Sequence, residues 1–314
     1  MSNAKGTVVT VGSINIDLVA YTKRRPIVGE TIIGEDFKIS PGGKGSNQAI
    51  QAAISGANSY MVGRIGDDVF APLIFEVYKK VGVNYEFVIP DSKGTGIGHV
   101  IVGEDGDYSA IMIPRANSNL CPKDVDNAIS ILQKAQVLLL QLEIPLSTVI
   151  HAARIAKSLG IKVFLNAAPV QPLPSEIFSL IDVLIVNEIE AEMLAGMKGD
   201  GSVVSYETIL RNLKRLASNV VLTLGDKGVI GINQQEEMVY LGAHAVKAVN
   251  TVGAGDAFIG ELAARMTENL PLLEALPYAN AAGAFAVTQD TSTAIWIDRE
   301  AVNALLDSSK PIGL

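Results

Sequence analysis

The chain has 314 residues, a net charge of −8 and scattered lysines and arginines, which argues against nucleic-acid binding because phosphate contacts supply most of that affinity. Although 48% of the residues are hydrophobic, no apolar run approaches the roughly 20 residues of a membrane-spanning helix, and a lone cysteine, Cys121, excludes a disulfide framework within the chain or a cysteine-based zinc site. We therefore expect a compact enzyme of the reducing cytoplasm, without nucleic-acid or membrane partners.

Short β-branched segments alternate with longer alanine-rich segments along the chain. The first kind predicts strands at Thr7–Val11, Ser59–Val62, Val137–Leu140, Lys162–Leu165, Val183–Val186 and Val220–Leu224. The second kind predicts helices at Gly45–Ile54, Val69–Val81, Pro122–Lys134, Leu146–Leu159, Tyr206–Leu216 and Ala254–Thr267. Because neighbouring parallel strands need crossover connections, the alternation predicts a three-layer α/β/α fold with a mostly parallel sheet covered on both faces.

Two segments, Leu18–Ile39 and Gly96–Pro114, do not follow this alternation. Both are typical of extended strands, and the second contains a turn at Glu104–Asp107. We expect antiparallel strands that form a small second sheet, a lid over the carboxyl edge of the main sheet, where ligands bind in open α/β folds. The prediction is a single domain over residues 5–314, with lid strands within about 18–39 and 96–114.

A glycine-rich segment, Asn250–Phe258, opens the last predicted helix. Gly253 and Gly255 allow a tight turn and a close approach of an anion, and the free amides of the first helical turn favour negative charge. Asp256 lies beside these amides, as a base that deprotonates a hydroxyl would beside a bound phosphoryl group. The alternative is that Gly255 and Asp256 form only a turn and a helix cap.

A second glycine-rich segment, Pro41–Ala49, also leads into a helix. It does not match the phosphate-binding loop, because Lys38 occupies the first glycine position and Gly45 replaces the required Ser or Thr. Neither glycine-rich segment satisfies the dinucleotide fingerprint. What remains is a turn that presents Lys44 and Asn47, an arrangement suited to a polyhydroxy ligand but also found in ordinary loops.

Several polar residues follow predicted strands. Asp17 follows the first strand, Glu143 follows Val137–Leu140, and Asn187 and Glu190 follow Val183–Val186. Each alone is as well explained by a solvated loop. Because parallel strands place their carboxyl ends at one edge of the sheet, however, we expect these side chains to converge there.

In this order, these motifs resemble the ribokinase-like sugar kinases of the PfkB family, the ribose-phosphorylating members most of all. The resemblance extends over nearly the whole chain, through Gly12–Asp17, Gly42–Ala49, Val62–Asp67, Gln141–Pro145, Asn187–Glu190, Thr223–Gly228, Gly253–Asp256 and Ala279–Thr288. The segments Gly-Gly-Lys-Gly-x-Asn-Gln-Ala and Gly-Ala-Gly-Asp match the two signature regions of the family, which together are highly specific.

The resemblance implies a kinase that transfers a phosphoryl group from ATP to the 5-hydroxyl of D-ribose. The implied catalytic groups are Asp256 as base and the amides of Gly253, Ala254 and Gly255 as an anion hole for the γ-phosphate. The implied sugar-binding residues are Asn15, Asp17, Gly43, Lys44, Asn47 and Glu143. The implied ATP-binding residues are Asn187, Thr223, Gly225, Gly228 and Asn280. Glu190 would position Mg²⁺, largely through water, and the lids of two copies would pair in a homodimer.

Three features depart from the family pattern. Asn250 replaces the usual Asp of a monovalent-cation site, and Thr291 lies near a position often occupied by Gly in the same site. Oxygens remain but one negative charge is lost, so activation by K⁺ stays open. Arg115 replaces a common Gly, and Gly98-His99 replaces larger apolar residues. If Arg115 or His99 faces the sugar, the acceptor is larger or more polar than ribose; otherwise both face solvent.

The alternatives are a sister kinase for deoxyribose, a nucleoside or a hexose, and a sugar- or nucleotide-binding protein without turnover. Asp17, Asn47 and Glu143 favour a small free sugar, and the intact Gly253–Asp256 segment favours turnover. A nicotinamide-linked oxidoreductase is disfavoured because the dinucleotide fingerprint is absent from the sequence.

Overall fold

The computed structural model describes residues 5–104, 108–289 and 297–308. The strands are β1 Thr7–Val11, β2 Asn15–Thr22, β3 Asp36–Gly42, β4 Asn58–Gly66, β5 Asn84–Asp91, β6 Gly96–Gly103, β7 Tyr108–Ile113, β8 Val137–Leu140, β9 Lys162–Asn166, β10 Val183–Asn187, β11 Asn219–Thr223, β12 Val229–Ile232 and β13 Met238–Leu241. The α-helices are α1 Lys44–Ile54, α2 Ala71–Val81, α3 Pro122–Asn127, α4 Ile129–Leu132, α5 Leu146–Ser158, α6 Glu188–Ala195, α7 Val203–Leu213, α8 Ala254–Thr267, α9 Leu272–Ala286 and α10 Arg299–Ser308.

A nine-stranded sheet has the order β13-β12-β11-β10-β9-β8-β1-β4-β5. The strands from β11 to β5 are parallel, and β12 and β13 continue the sheet antiparallel at one edge. In the parallel part, Val8 of β1 aligns with Val137 of β8 and Ser59 of β4. The predicted mostly parallel sheet is therefore confirmed.

The side chains of the central strands alternate between two hydrophobic cores, as expected for strands buried on both faces. In β8, Leu138 and Leu140 pack with residues of α3–α7, whereas Val137 and Leu139 pack with α8 and α9. The helices α1 and α2 form a further core with β4 and the first lid strand. This alternation produces the three predicted layers.

A four-stranded second sheet, the lid, has the order β3-β2-β6-β7. The prediction that its strands are all antiparallel was wrong, because β2 and β6 pair parallel, with Asp17 opposite Gly98. The reason is topological: β2 follows β1 and β6 follows β5 after short connections, and β1 and β5 run in the same direction. The predicted turn between β6 and β7 lies partly outside the described residues, which omit 105–107.

The helices differ from the prediction in two respects. The predicted helix Pro122–Lys134 is divided at Ala128 into α3 and α4, and α6, α9 and α10 were not predicted. The helix α9 contains Pro277 in its interior and is apolar on most sides, so neither its proline nor its periodicity is typical of a surface helix. Among the described residues, the helices are too short or too polar to cross a membrane.

The helices α1 and α8 cross in direct backbone contact at Gly260. A Cβ atom at this position would lie 2.5 Å from the Gln51 Cβ atom, 2.7 Å from the Gln48 carbonyl oxygen and 2.9 Å from the Ala52 nitrogen. Since these atoms cannot move aside as the end of a flexible side chain can, only glycine fits here without displacing a helix.

Gly260→Ala should therefore destabilise the protein by about 1–3 kcal/mol, the usual cost of overpacking. Chemical denaturation would measure this change. The control is Gly283→Ala in α9, where the nearest atom to a new Cβ lies at 3.4 Å, and where alanine should be neutral or stabilise the helix by roughly 0.5–1 kcal/mol. Equal stability of the two variants would contradict the tight crossing.

Candidate active site

A cleft of about 1410 Å³ lies between the lid and the carboxyl ends of the parallel strands. It brings together predicted residues from distant parts of the chain. Those that line it are Asn15, Asp17, Gly43, Lys44, Asn47, Glu143, Asn187, Glu190, Thr223, Gly225, Gly228, Gly253, Ala254, Gly255, Asp256 and Asn280. Of the remaining two, Asn250 does not line the cleft, and Thr291 lies outside the described residues.

The strand ends explain most of this convergence. Asn187 is the last residue of β10, Thr223 is the last residue of β11, and Glu143 follows β8, so that the parallel sheet carries all three to one edge. The prediction that Asp17 lies just past the carboxyl end of β1 was wrong in its local structure, although Asp17 does line the cleft. The chain turns directly into the lid after Gly12–Ile14, and Asp17 lies within β2, at the base of the lid.

The first turn of α8 contains an acidic residue next to unpaired amides. Gly253 is the N-cap, with a φ of 81°, in the left-handed region that favours glycine. The amides of Gly255 and Asp256 have no preceding helical carbonyl to bind, and a Cβ at Gly255 would meet no other atom within 4 Å. The turn therefore opens onto free space in the cleft and can bind an anion there.

Two amides from α1 hold the carboxylate of Asp256. Gln48 Nε2 donates to Oδ1 at 2.9 Å, and Asn47 Nδ2 donates to Oδ2 at 3.2 Å. Asp256 is 7% exposed, so these hydrogen bonds replace most of its contacts with water. The Oδ1 atom of Asn47 is buried and has no hydrogen-bond partner among the described residues. A ligand hydroxyl in the cleft could donate to this oxygen.

Asp17 lies between two glycines of the neighbouring lid strands. A Cβ at Gly42 would lie 2.4 Å from the Asp17 carboxylate, and one at Gly98 would lie 2.2 Å from its Oδ1. Gly98, which departs from the family pattern, thus leaves room for Asp17. Burial, and to a lesser extent the charges of Glu143 and Asp256, raises the pKa of Asp17 to about 7.

Glu143 is held by the turn that precedes α1. Ser13 Oγ donates to its Oε2 at 2.5 Å, and the backbone amide of Lys44 donates to the same oxygen at 3.1 Å. Burial raises the pKa of Glu143, while the positive charge of Lys44 and these hydrogen bonds act in the opposite direction. Acceptor groups of Asp17 and Glu143 therefore lie at one end of the cleft, where they can bind hydroxyls.

Asn187 and Glu190, which also line the cleft, cap the helix α6 reciprocally. The Glu190 amide donates to Asn187 Oδ1 and the Asn187 amide donates to Glu190 Oε2, both at 2.9 Å. Burial raises the pKa of Glu190. The second oxygen of this carboxylate has no bond within the cap, so a cation in the cleft would lower the cost of burying its charge.

The structure describes the surroundings of three residues that depart from the family pattern, Asn250, Arg115 and His99. Asn250 Oδ1 accepts a hydrogen bond from the Val252 amide at 3.0 Å, within its own turn. Arg115 adopts a φ of 43°, and its guanidinium donates to the Lys93 and Thr95 carbonyls at 2.8 and 3.2 Å. His99 is exposed. Neither Arg115 nor His99 lines the cleft, so the larger-acceptor hypothesis built on them has no support.

Sequence reasoning did not single out Gln48, Asn117, Gln141 or Asn166. Asn117 accepts a hydrogen bond from the Ile14 amide at 2.8 Å and donates to Asn15 Oδ1 at 2.7 Å. These partners are about a hundred residues away in the chain, and no local pattern connects them. Gln48 and Gln141 carried a signal, as members of the segments Gly42–Ala49 and Gln141–Pro145 that resemble the family.

Comparison with known proteins identifies related enzymes along most of the chain. Residues 5–298 match the pfkB family of carbohydrate kinases. The chain is 36% identical to a deoxyribokinase of Salmonella typhimurium, with 90% of this chain and 92% of that protein covered. It is 36% identical to a mouse ribokinase, with 91% and 90% covered. The structure of an Arabidopsis thaliana ribokinase complexed with ribose and ATP matches at 32% identity with a TM-score of 0.87, covering 96% of this chain and 99% of that one.

Asp17→Asn should stabilise the ligand-free protein in a pH-dependent way. The pKa of Asp17 rises from 3.8 to about 7 on folding, so the wild-type protein loses stability as the pH increases from about 4 to about 7. The variant lacks this loss, so its free energy of unfolding at pH 8 should exceed that of the wild-type protein by roughly 2–4 kcal/mol. Urea denaturation at pH 4 and pH 8 measures the difference.

The control is Asp36→Asn at the exposed start of β3, which should leave stability unchanged at both pH values. If the effect of Asp17→Asn were the same at pH 4 and pH 8, ionisation of Asp17 would not be its cause.

Proposed function

Because the chain belongs to the pfkB family of carbohydrate kinases, we propose that it transfers a phosphoryl group from ATP to the 5-hydroxyl of D-ribose. The observation that carries this proposal is the first turn of α8, where the buried Asp256 lies beside free amides in a cleft lined by hydroxyl-binding groups. The single free cysteine, Cys121, agrees with a cytoplasmic enzyme.

The proposed reaction uses Asp256 as the general base. Its carboxylate accepts the proton of the sugar hydroxyl as the hydroxyl oxygen forms a bond to the γ-phosphorus, and ADP leaves as the bond to its β-phosphate oxygen breaks. The amides at Gly253, Ala254 and Gly255 stabilise the negative charge on the transferred group. The lid excludes water that would otherwise accept the phosphoryl group.

At the sugar end, Asp17, Asn47 and Glu143 accept hydrogen bonds from hydroxyls, with Asn15, Gly43 and Lys44 completing the pocket. Asn47 is suited to this task because its buried Oδ1 has no partner among the described residues. A site built to bind a hydroxyl penalises a substrate that lacks it, since its own buried groups are then unpaired. This favours ribose over deoxyribose.

At the nucleotide end, Asn187, Thr223, Gly225, Gly228 and Asn280 bind ATP. Mg²⁺ bound with the nucleotide would neutralise phosphate charge, and the partly free carboxylate of Glu190 fits it through water. No group of three acidic, histidine or cysteine side chains able to hold a metal occurs among the described residues, so the proposal relies on the phosphates of the nucleotide for most of the ligands.

K⁺ activation is weaker than in a kinase with Asp at position 250. Asn250 lacks the negative charge, and its Oδ1 already accepts the Val252 amide. Thr291, the other candidate for this site, lies outside the described residues.

A deoxyribokinase is the main alternative, favoured by the Salmonella relative, which is as similar in sequence as the mouse ribokinase. Kinases of nucleosides or hexoses are further alternatives within the family. A binding protein without turnover would not need the supported carboxylate of Asp256, so we prefer an enzyme.

We also propose that two copies pair through their lids. The lid exposes large apolar side chains on or beside its edge strands β3 and β7 at Ile33, Phe37, Ile39, Ile111 and Ile113. Such a set is unusual on a monomer's surface, and a second copy would cover it with a symmetric interface.

Light scattering coupled to size exclusion should give twice the chain mass of 33.1 kDa. Phe37→Lys should shift the protein to monomers by placing a charge in the interface. The control is Val204→Lys, at an exposed position of α7 outside the lid, which should leave the dimer intact. A wild-type monomer at micromolar concentration would contradict the lid dimer.

The reaction is tested by ADP release from ATP and Mg²⁺ with ribose, deoxyribose, fructose, adenosine or no acceptor, each with and without K⁺. We expect turnover that is highest with ribose and changes little with K⁺. Asp256→Asn should lower kcat by roughly 10²–10⁴, the usual contribution of a general base, while calorimetry still detects binding of ribose.

Selective turnover of another acceptor would support the assignment as a kinase and would show that ribose is not its substrate. Ligand binding without turnover of any acceptor would favour the binding protein instead. An Asp256→Asn variant with normal kcat would overturn the assignment of the base.

A further inference from the structure

We propose that Gln48 is a positioning residue for the base, and that Gln141 and Asn166 hold Gln48 in the orientation this requires. This inference rests on the proposed function, in which Asp256 accepts the proton of the acceptor hydroxyl. It concerns a buried chain of amides behind Asp256, which we call the amide chain and define as Gln48, Gln141 and Asn166.

The amide chain connects α1 and the ends of β8 and β9 to the start of α8. Gln141 Nε2, just after β8, donates to Gln48 Oε1 at 2.6 Å. Gln48 Nε2, on α1, donates to Asp256 Oδ1 at 2.9 Å and to Asn166 Oδ1, at the end of β9, at 3.3 Å. Every member is buried, and Gln48 and Gln141 are fully so.

The chemistry of these partners fixes the direction of the Gln48 amide. A carboxylate only accepts hydrogen bonds, so the nitrogen of Gln48 must face Asp256 and its oxygen must face Gln141. Both hydrogens of that nitrogen have acceptors. The side chain cannot rotate without leaving buried polar groups unpaired, which is costly in a medium without water.

Gln48 acts at a distance from the ligands. Its neighbour Asn47 lines the cleft, whereas Gln48 and Gln141 do not. A substitution of Gln48 thus removes no contact with sugar or nucleotide. Its effect on turnover must pass through Asp256 or through Asn166, which also lines the cleft, and an Asp256→Asn background separates the two routes.

The helix crossing sets the distance between Gln48 and Asp256. Gly260 lies one turn after Asp256 on α8, and a Cβ there would meet the carbonyl oxygen of Gln48 at 2.7 Å. Backbone contact at this point leaves little freedom for α8 to shift against α1. The crossing and the amide chain together hold the Oδ1 atom of Asp256, so its orientation towards the acceptor hydroxyl is determined before the substrate binds.

The first variant for the test is Gln48→Met, which keeps the length of the side chain and removes its hydrogen bonds. We expect kcat for ribose to fall about 10–100-fold, the scale of a misplacement near 1 Å, with KM for ribose and ATP within about twofold of wild type. The matched control is Gln51→Met, one turn later on α1. Gln51 is equally buried but donates to Ser55 Oγ and to the Ile297 carbonyl, each at 3.0 Å. This control should retain kcat within about twofold.

A double variant separates positioning from stability. Gln48→Met alone leaves the buried Nε2 group of Gln141 without its acceptor, in addition to the Asp256 and Asn166 oxygens that lose a donor. Gln48→Met with Gln141→Met removes the Gln141–Gln48 hydrogen bond from both sides, which is less costly than leaving one partner unpaired. The double variant should therefore recover part of the Tm lost by the single variant while its kcat stays low. In an Asp256→Asn background, Gln48→Met should cause no further loss of kcat.

Recovery of kcat together with Tm in the double variant would overturn the proposal, since the amide chain would then only stabilise the fold. The proposal would also be overturned if Gln48→Met raised KM without lowering kcat. It would likewise be overturned if Gln48→Met lowered kcat by the same factor in the Asp256→Asn background as in the wild-type protein. An Asp256→Asn variant that keeps wild-type kcat would instead overturn the proposed function. If Asp256→Asn is inactive and Gln48→Met matches the Gln51→Met control, only the role of Gln48 fails.

Discussion

Three carboxylates, those of Asp17, Glu143 and Asp256, lie around one cleft, and the cost of burying them, to which their mutual repulsion adds, is the constraint on which the rest of the site depends. The charges of Glu143 and Asp256 add to burial in raising the pKa of Asp17. Each acid has a different compensation. The charge of Lys44 and a hydrogen bond from the Ser13 hydroxyl stabilise the carboxylate of Glu143, and hydrogen bonds from two amides stabilise that of Asp256. Asp17 binds a proton near neutral pH, because its pKa is raised to about 7. A ligand that brings hydroxyls or cations into the cleft relieves the cost that the ligand-free protein bears.

This concentration of acids needs backbones that approach closely. Gly42 and Gly98 make space for Asp17 at the base of the lid, and Gly260 lets α8 pack onto α1. The lid strands β2 and β6 pair parallel because both enter from strands of the parallel sheet, so the lid is a direct extension of the main sheet's topology. The position of the proposed sugar pocket at this junction follows from the same connection.

The departures from the family pattern illustrate how a residue's role depends on its backbone conformation. At position 115 the chain has a positive φ, which glycine adopts freely, whereas arginine adopts it here while its guanidinium binds the turn around Gly94. Arg115 thus binds the connection at the base of the lid and does not line the cleft. Asn250 similarly uses its side-chain oxygen in its own turn.

The sequence by itself determined the parallel sheet, the bounds of α8 and the convergence of Asp17, Glu143, Asn187 and Glu190 on one cleft, because β-branched runs, glycine-rich helix starts and polar residues after parallel strands are local signals. Only the tertiary structure placed Asp17 in the lid rather than in a loop, and only it joined Gln48 to Gln141 and to Asp256, which lie 93 and 208 residues away. Such contacts depend on which faces of packed helices and strands meet. No periodicity or motif within either segment specifies that meeting, so the support of the proposed base, Asp256, could be seen only once α1 and α8 were placed together.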